Sequence, residues 1–247
     1  IAELRERLKN ALRQLRDSEE VPGRTGRLLP GKLYRALCLN DARIFEKQRP
    51  GDQSRVSVDL LLDASTSQEE RTELVARQAY ILAESLSALK LPVRVWGYLS
   101  MSGYTVLTRY RDYEEHEKNE EIFRYFTAGA NRDGLAYRAV GELMAEYPSE
   151  RKILIVLSDV TPNDMVKFLY QGQEQAYAGE GAIENAAKEV RAVCASGVTA
   201  LCVYTGDDAG LPAVQRVFGQ NFVKINSLTR FAAAAGRLLE LALSNPA

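Results

Sequence analysis

Several classes of functional site need residues that this sequence hardly contains. Its 247 residues include one histidine and three cysteines, and no two cysteines have the C-x-x-C spacing. An odd number of cysteines without that spacing argues against a disulfide framework and against a structural zinc site. No G-x-S-x-G segment occurs, and the single histidine, His116, lies in the charged run 114–121. A hydrolase with a Ser-His-Asp triad is therefore disfavoured.

Long hydrophobic runs are also missing. No uninterrupted apolar run approaches the roughly 20 residues that a transmembrane helix needs, and the N-terminal segment is charged and amphipathic, unlike a signal peptide. We therefore expect a cytoplasmic protein without a membrane span. The composition, 46% hydrophobic and 26% charged residues, is that of a globular chain able to bury a substantial core. Because the chain begins with isoleucine, we expect it to be part of a longer protein.

Positive charge is concentrated at the start of the chain. Residues 1–55 contain 13 Lys/Arg and 8 Asp/Glu, a balance of +5, whereas residues 56–247 contain 19 and 25, a balance of −6. The first part lacks the interleaved aromatic residues of a nucleic-acid stacking surface, so we expect no nucleic-acid partner and consider protein docking the alternative. We predict a basic helical or extended leader, 1–55, followed by a domain, 56–247.

From residue 56 onward, strand patterns alternate with helix patterns. The run 153–157 is continuously apolar, as in a central parallel strand, and 104–110 alternates like an exposed edge strand. Repeated alternation of strand and helix predicts an α/β fold with a doubly wound sheet. The predicted strands are 56–62, 93–99, 104–110, 153–157, 198–204 and 222–225, and the predicted helices are 2–15, 68–89, 134–147, 183–195, 211–218 and 228–243.

An oxygen-rich loop follows the first of these strands. Asp63, Ser65 and Ser67 form a D-x-S-x-S pattern in which alternate positions offer one carboxylate and two hydroxyls to a common point. Mg²⁺ binds oxygen ligands in octahedral geometry through one or two carboxylates, so we expect a Mg²⁺ site, with Mn²⁺ or Ca²⁺ as possible substitutes. The alternative is a cluster that only caps the following helix.

Two further loops lie where they can complete this site. Ligands of doubly wound sheets collect beyond the carboxyl ends of the strands. Asp159 follows the apolar run 153–157 directly after Ser158, and Asp133 lies in the segment NRDG, which opens a helix. Asp133 either caps free backbone N–H groups or faces the cation, and for Asp159 the alternative is a turn before Pro162.

The segments DASTS, NRDG and LSD, in this order and on these elements, resemble the von Willebrand factor A fold with its metal-ion-dependent adhesion site. The longer phrases VRVWGYLS, NRDGLAYRAV and ILIVLSDVTPND resemble the nitric oxide reductase activation protein group, which is related to the T subunit of cobaltochelatase. The resemblance covers about residues 24–245.

This resemblance implies a mostly parallel six-stranded sheet with one antiparallel edge strand and a Mg²⁺ at its upper rim. It makes Ser65 and Ser67 direct ligands, whereas Asp63 and Asp159 bind directly or through water. It also implies a non-catalytic module that links a MoxR-type AAA+ ATPase to a target metalloenzyme for activation, remodelling or metal insertion. The competing hypotheses are a Mg²⁺- or Mn²⁺-dependent phosphohydrolase that uses the same carboxylates and a purely structural domain.

One position departs from the family pattern. Better-known adhesion domains supply a threonine from the middle loop, where this chain has Asp133, with Thr127 as a weaker candidate. A dication beside three carboxylates would hold an acidic ligand less tightly than one beside two carboxylates. The reason is that a unit charge about 4 Å away contributes roughly 4 kcal/mol at an effective dielectric of about 20. We expect that the metal mainly fixes the loops, or that Asp133 moves or takes up a proton before a partner carboxylate binds.

The segment 160–180 is predicted to be a long loop beside the metal. It contains Phe168, Tyr170 and Tyr177, and long ordered loops are often functional. We expect these rings to form a platform for a partner, with packing of a short helix as the alternative. Asp164 in the same loop is expected to be solvated, with a position directly behind the metal ligands as the alternative.

Overall fold

A computed structural model describes residues 2–18, 22–23, 27–28, 30–39, 41, 44–46, 56–225 and 228–244. Before residue 56 it contains helix α1 (Ala2–Ser18), strands β1 (Pro22–Gly23) and β2 (Arg27–Leu28), helix α2 (Leu33–Cys38) and strand β3 (Phe45–Glu46). The later strands are β4 (Val56–Asp63), β5 (Val93–Met101), β6 (Tyr104–Arg111), β7 (Arg151–Ser158), β8 (Asn163–Tyr170), β9 (Gln173–Ala178), β10 (Val198–Tyr204) and β11 (Phe222–Lys224). The later helices are α3 (Thr72–Ser87), α4 (Asp133–Ala145), α5 (Gly179–Ala195), α6 (Leu211–Phe218) and α7 (Leu228–Ser244).

Six of the strands form one sheet in the order β11-β10-β7-β4-β5-β6. Neighbouring strands pair in parallel except β5 and β6, so β6 is an antiparallel edge strand. β7 carries the apolar run 153–157 and lies beside β4 in the middle of the sheet, where helices cover both faces of a strand. The predicted α/β class, the mostly parallel sheet and the edge strand are confirmed.

Helices cover both faces of this sheet. Leu60 and Leu62 of β4 belong to the core that α1, α3 and α7 complete, whereas Leu61 belongs to the core that α4, α5 and α6 complete. Successive side chains of a strand point to opposite faces, so β4 contributes to both cores. None of the helices in the described ranges is long and apolar enough to cross a bilayer.

Helix α1 is packed into the first of these cores. Leu4 and Leu8 are completely buried, and α1 contacts α7 and α3. The helical spacing of its leucines therefore forms the buried stripe of an amphipathic helix. The proposed boundary at residue 55 falls in 47–55, outside the described residues, and stays a prediction, but the helix that precedes it shares a core with the domain that follows.

The segment 160–180 differs from the prediction. It is not a long loop, because β8 and β9 form an antiparallel hairpin that leads directly into α5. The turn residues Gln171 and Gly172 both have positive φ, 50° and 79°, as in a type I′ hairpin turn. Since Gln-Gly is not one of the usual Asn-Gly or Asp-Gly pairs of such turns, the hairpin is hard to recognise from the sequence.

Candidate metal centre

Three loops meet at the carboxyl ends of the central strands. The parallel register pairs Leu62 of β4 with Leu157 of β7, so the residues that follow, Asp63 and Ser158, lie side by side. Ser158 Oγ donates to Asp63 Oδ2 at 2.7 Å, and the backbone N–H of Ser65 donates to Asp63 Oδ1 at 3.0 Å. The Asp63 carboxylate is completely buried and is held by the first and third loops.

Ser65 and Ser67 bring their hydroxyls together. Their Oγ atoms lie 2.9 Å apart. Two neighbouring ligands of an octahedral Mg²⁺, each about 2.0–2.1 Å from the ion, are themselves about 2.9 Å apart, so the spacing fits two ligands of one such ion. Ser65 precedes a 3-10 helix, Thr66–Arg71, yet its side chain makes no capping hydrogen bond, which disfavours the interpretation as a helix cap.

Asp159 lies close enough to Asp63 to affect its ionisation. Burial and, after it, the negative charge of Asp159 raise the pKa of Asp63 to about 6, while hydrogen bonds from Ser158 and Ser65 oppose the increase. Asp159 Oδ1 accepts from the backbone N–H of Thr161 at 3.1 Å, as in an aspartate that stabilises a turn. This turn contact uses Oδ1 and not Oδ2. The two carboxylates are therefore close enough for their negative charges to repel each other.

Internal donors occupy the carboxylate of Asp133, which is completely buried. Its Oδ1 accepts from Tyr98 OH at 3.0 Å and from Asn131 Nδ2 at 2.9 Å, and its Oδ2 accepts from Tyr137 OH at 3.4 Å. Burial and then the charge of Asp63 raise the pKa of Asp133 well above its ordinary value. These donors are side chains and not the free backbone N–H groups of α4, and two of them already bind Oδ1, whereas Oδ2 accepts only the longer bond from Tyr137 among the described residues.

Sequence reasoning missed Asn131, which joins all three loops. Its Nδ2 donates to Asp133 Oδ1 and, at 3.4 Å, to Asp63 Oδ2, so a neutral amide separates two carboxylates. Its backbone N–H and C=O bond with those of Asn163 at 3.0 and 3.1 Å, and its Oδ1 accepts from Asn163 N at 2.9 Å. The only signal in the sequence is its place at the start of NRDG, two residues before Asp133.

Two glycines near the middle loop lie where a side chain would collide with a neighbouring element. Gly129 has a φ of 64°, and a Cβ there would lie 2.5 Å from the carbonyl oxygen of Ser100. The same glycine accepts two hydrogen bonds from Thr66, from its N–H at 3.2 Å and its Oγ1 at 2.8 Å, which ties the first loop to the middle loop. A Cβ on Gly134, the glycine of NRDG, would lie 2.2 Å from Asn185 Oδ1 of α5.

The structure corrects the prediction that Tyr177 is a surface contact. Tyr177 is 1% exposed, and its OH accepts from the N–H of Gly134 at 3.1 Å and donates to Asn185 Oδ1 at 2.9 Å. It is buried because its position on β9 faces the start of α4 and α5. Phe168 and Tyr170 are half-buried against α5, and their role toward a partner stays a prediction.

The structure also shows the positions of two weaker candidates for the metal site, Asp164 and Thr127. Asp164 is expected from the sequence to be solvated, but it is only 6% exposed because β8 turns its side chain inward. Its Oδ1 accepts from the N–H of Val166 at 3.0 Å, and its Oδ2 is buried without a hydrogen-bond partner among the described residues. Thr127 Oγ1 lies 3.2 Å from Thr72 Oγ1 of α3, so it helps to fix the middle loop.

Within the described part of the chain, no group of three or more His, Cys, Asp or Glu side chains has the spacing of a metal cage. The candidate centre is a mixed set of two hydroxyls and two carboxylates. Such a set suits Mg²⁺, which keeps several waters and needs only one or two carboxylates.

Solved structures share this architecture. The von Willebrand factor domain of the type V pilus tip protein Mfa5 from Porphyromonas gingivalis matches with a TM-score of 0.58 at 11% identity, over 79% of this chain and 98% of that domain. The chain has the von Willebrand factor A fold. The minor pilin PilB from Streptococcus sanguinis matches with a TM-score of 0.59 at 13% identity, over 81% of this chain and 64% of its own. The pilus adhesin SpaC from Lactobacillus rhamnosus GG matches with a TM-score of 0.55 at 16% identity, over 81% of this chain and 31% of its own. The chain therefore spans less than a third of that adhesin.

No family model and no curated protein matches the chain. Identities of 11% to 16% show the fold alone, so the roles of the pilus proteins are not carried over. Membership of the nitric oxide reductase activation group stays a prediction.

Proposed function

We propose that the chain is a metal-dependent protein-interaction module without catalysis of its own. Ser65 and Ser67 would hold Mg²⁺ directly, and Asp63 and Asp159 would hold it directly or through water, with Mn²⁺ or Ca²⁺ as substitutes. The observation that carries the proposal is the pair of hydroxyls 2.9 Å apart beside a buried carboxylate whose hydrogen-bond donors, in the described part of the chain, are all neutral. A dication would supply the missing positive charge, and a partner's carboxylate can complete its set of oxygen ligands.

The fuller proposal connects this module to an ATP-driven machine in the cytoplasm. The phrases VRVWGYLS, NRDGLAYRAV and ILIVLSDVTPND support a role like that of nitric oxide reductase activation proteins, which link a MoxR-type AAA+ ATPase to a target metalloenzyme. The von Willebrand factor A fold supports the protein-interaction part, and the two named partners rest on the resemblance of those phrases.

A phosphohydrolase that uses the same metal is the competing function. It requires a general base that can reach a metal-bound water. Asp133 is poorly suited because Tyr98, Asn131 and Tyr137 already donate to its oxygens. Asp164 accepts from the N–H of Val166 through Oδ1 only, so it is the carboxylate that the phosphohydrolase would have to use as its base. The contacts of Asp133 favour the binding module.

Thermal unfolding in Mg²⁺ and in EDTA tests the proposal. A ligand that binds only the folded state at 100 times its Kd stabilises it by about 2.7 kcal/mol, which corresponds to a rise in Tm of about 5–10 °C for a chain of this size. Asp63→Ala should abolish the rise and remain folded by circular dichroism. Asp208→Ala, which alters a carboxylate that is 88% exposed beyond β10, should keep it. A wild type indifferent to Mg²⁺, Mn²⁺, Ca²⁺ and chelator would contradict the metal site.

Two binding and activity measurements separate the competing functions. Hydrolysis of p-nitrophenyl phosphate that needs Mg²⁺ or Mn²⁺ and is lost in Asp63→Ala would favour the phosphohydrolase. Capture of a purified MoxR-type ATPase that is lost in EDTA and in Asp63→Ala would favour the module. Capture that is identical with and without chelator would favour a purely structural domain.

A further inference from the structure

We propose that Gln68 and Thr205 are positioning residues for the metal centre, which they extend to a fourth loop. Gln68 directly follows Ser67, the second of the two serines proposed to bind the metal, and Thr205 directly follows β10. We call residues 205–210 the β10 loop. The inference deepens the proposed function, on which it rests, because it concerns what holds the metal-binding hydroxyls in place and what binding of the metal does to a neighbouring loop.

A closed ring of hydrogen bonds joins the first and third metal loops to the β10 loop. Asp63 Oδ1 accepts from Ser65 N at 3.0 Å, and Ser65 O accepts from Gln68 N at 3.0 Å. Gln68 Oε1 accepts from Thr205 Oγ1 at 3.1 Å, and Thr205 N donates to Ser158 O at 3.0 Å. Ser158 Oγ closes the ring by donating to Asp63 Oδ2 at 2.7 Å. The first and third loops are therefore fixed to each other both directly and through Gln68 and Thr205.

Every member of this ring is buried. The five residues are at most 3% exposed, whereas Thr66 and Ser67 beside them are exposed. Water does not readily replace a hydrogen bond at a buried position, so loss of one partner leaves the other unpaired. The ring therefore supports the exposed part of the first loop from inside the domain.

The length of the Gln68 side chain suits this connection. In the sheet, β7 lies between β4 and β10, so the ends of β4 and β10 are two strand spacings apart, roughly 10 Å. The backbone of Gln68 is held in the first loop, where its N–H donates to Ser65 O and its C=O accepts from Thr72 Oγ1 at 3.3 Å. Its side chain reaches from there to the end of β10, and a short side chain such as serine would leave Thr205 Oγ1 without this acceptor.

One donor group of Gln68 is unpaired. Gln68 is completely buried, and its Nε2 has no hydrogen-bond partner in the described part of the chain. Burial, and then the negative charges of Asp207 and Asp159, raise the pKa of Tyr204 to about 12, so the Asp159 carboxylate lies near this end of β10. Buried donors are rarely left unpaired, and Mg²⁺ keeps several of its waters when it binds a protein. The Nε2 group is therefore the part of Gln68 that would donate to an oxygen atom brought by the ion.

Binding of the metal should therefore also restrain the β10 loop. An ion held by the two serines fixes the first loop, and Gln68 passes this restraint to Thr205 through their hydrogen bond. The β10 loop contains Asp207, whose Oδ1 accepts from Gly210 N at 3.2 Å, and it leads directly into α6. Its backbone N–H groups should exchange with solvent more slowly in Mg²⁺ than in EDTA.

Isothermal titration calorimetry with Mg²⁺ tests this pair of residues. Thr205→Val and Gln68→Met keep the size of each side chain and remove its hydrogen-bonding atoms. We expect the Kd for Mg²⁺ to rise about tenfold in Thr205→Val, equivalent to about 1.4 kcal/mol, and to rise further in Gln68→Met, which also loses Nε2. The double variant should bind like Gln68→Met, because the two side chains act as one unit. Thr205→Ser, which keeps the hydroxyl, should bind like the wild type and keep the Mg²⁺-dependent protection of the β10 loop that Thr205→Val loses.

The matched control is Ser57→Ala at the start of β4, where the Oγ of the completely buried Ser57 lies 2.6 Å from Ser149 Oγ. It should lose stability in urea unfolding without a change in the Kd for Mg²⁺. A wild type that does not bind Mg²⁺ would overturn the proposed function and this inference together. If the wild type binds, an unchanged Kd in Thr205→Val and Gln68→Met overturns the inference alone, and so do additive effects of the two substitutions. If Gln68→Met does not fold by circular dichroism, the difference between Thr205→Val and Thr205→Ser decides.

Discussion

Asp59 and Asp63 lie on the same strand and are both completely buried, yet their charges are balanced in different ways. Asp59 Oδ1 accepts from Arg94 Nε at 2.7 Å and from Trp96 Nε1 at 3.0 Å, and its Oδ2 accepts from Tyr113 OH. The Arg94 guanidinium lies over the rings of Tyr113 and Trp96, 4.4 and 5.0 Å from their centroids. The Asp59 carboxylate is thus balanced inside the chain.

Asp63 has no such basic partner among the described residues. Its carboxylate accepts from Ser65 N, Ser158 Oγ and Asn131 Nδ2, which are all neutral donors. A buried carboxylate without a counter-charge must take up a proton or bind a cation. Burial alone therefore does not mark a functional acid, whereas burial without a basic partner does.

Removing the counter-charge of Asp59 should have the largest effect. Arg94→Met leaves Asp59 buried and unpaired, so we expect a loss of about 3–5 kcal/mol in the free energy of unfolding. Urea unfolding should give the same loss in Mg²⁺ and in EDTA, because Arg94 is not bonded to the metal loops. Arg109→Met, on the neighbouring β6 and 51% exposed, should cost less than about 1 kcal/mol. A loss for Arg94→Met that depends on Mg²⁺ would mean that Asp59 and the metal loop at the end of β4 are energetically coupled.

The pH dependence of stability should reveal the raised pKa of Asp63 as the next largest effect. Its folded-state pKa of about 6 is raised above the value of about 3.9 expected in the unfolded chain, so the folded state holds the proton more tightly. The stability this contributes is fully present below about pH 4 and is lost as the pH rises through about 6, by at most about 3 kcal/mol. In EDTA, Asp63→Asn should therefore gain stability relative to wild type over that window.

Saturating Mg²⁺ should reverse the trend, because the cation binds the ionised carboxylate and stabilises the wild type more at higher pH. Urea unfolding at steps from about pH 4 to about pH 7.5 measures both trends, and Asp208→Asn serves as the exposed control. A difference between Asp63→Asn and wild type that stays constant with pH in EDTA would show that folding does not raise the pKa of Asp63.

Gly129 tests whether the spacing of the loops matters as much as their charges. Gly129→Ala adds a Cβ 2.5 Å from Ser100 O at a positive φ, whereas Gly172→Ala in the hairpin turn has a positive φ but nothing within 4 Å. Both variants should lose about 1 kcal/mol of unfolding free energy because alanine is strained at a positive φ. Gly129→Ala should lose about 2 kcal/mol more, because the backbone near Ser100 must move to make room for the new Cβ. Only Gly129→Ala should also lose the Mg²⁺-dependent rise in Tm. Equal effects of the two variants would exclude a role for loop spacing.

The fold and the metal loops could be predicted because their patterns are local. The apolar run in β7 indicates a central strand, and D-x-S-x-S follows directly on β4, so the meeting point of the loops follows from parallel pairing. The contrast between Asp59 and Asp63 could not be predicted. Asp59 lies in a strand recognised by its apolar neighbours, and its partner Arg94 is 35 residues away. Asn131 was missed for the same reason, since its carboxylate partner in β4 is 68 residues distant.

The smallest effect is expected at Tyr177, where the structure differs from the sequence-based prediction of a surface contact. Tyr177→Phe leaves the N–H of Gly134 and the Oδ1 of Asn185 without their partner, so it should cost about 1–2 kcal/mol in urea unfolding. Tyr170→Phe removes a hydrogen bond to Glu184 that solvent can replace, and should cost less than about 0.5 kcal/mol. If the two costs are equal, the hydrogen bonds of Tyr177 add no more stability than the solvent-exposed bond of Tyr170.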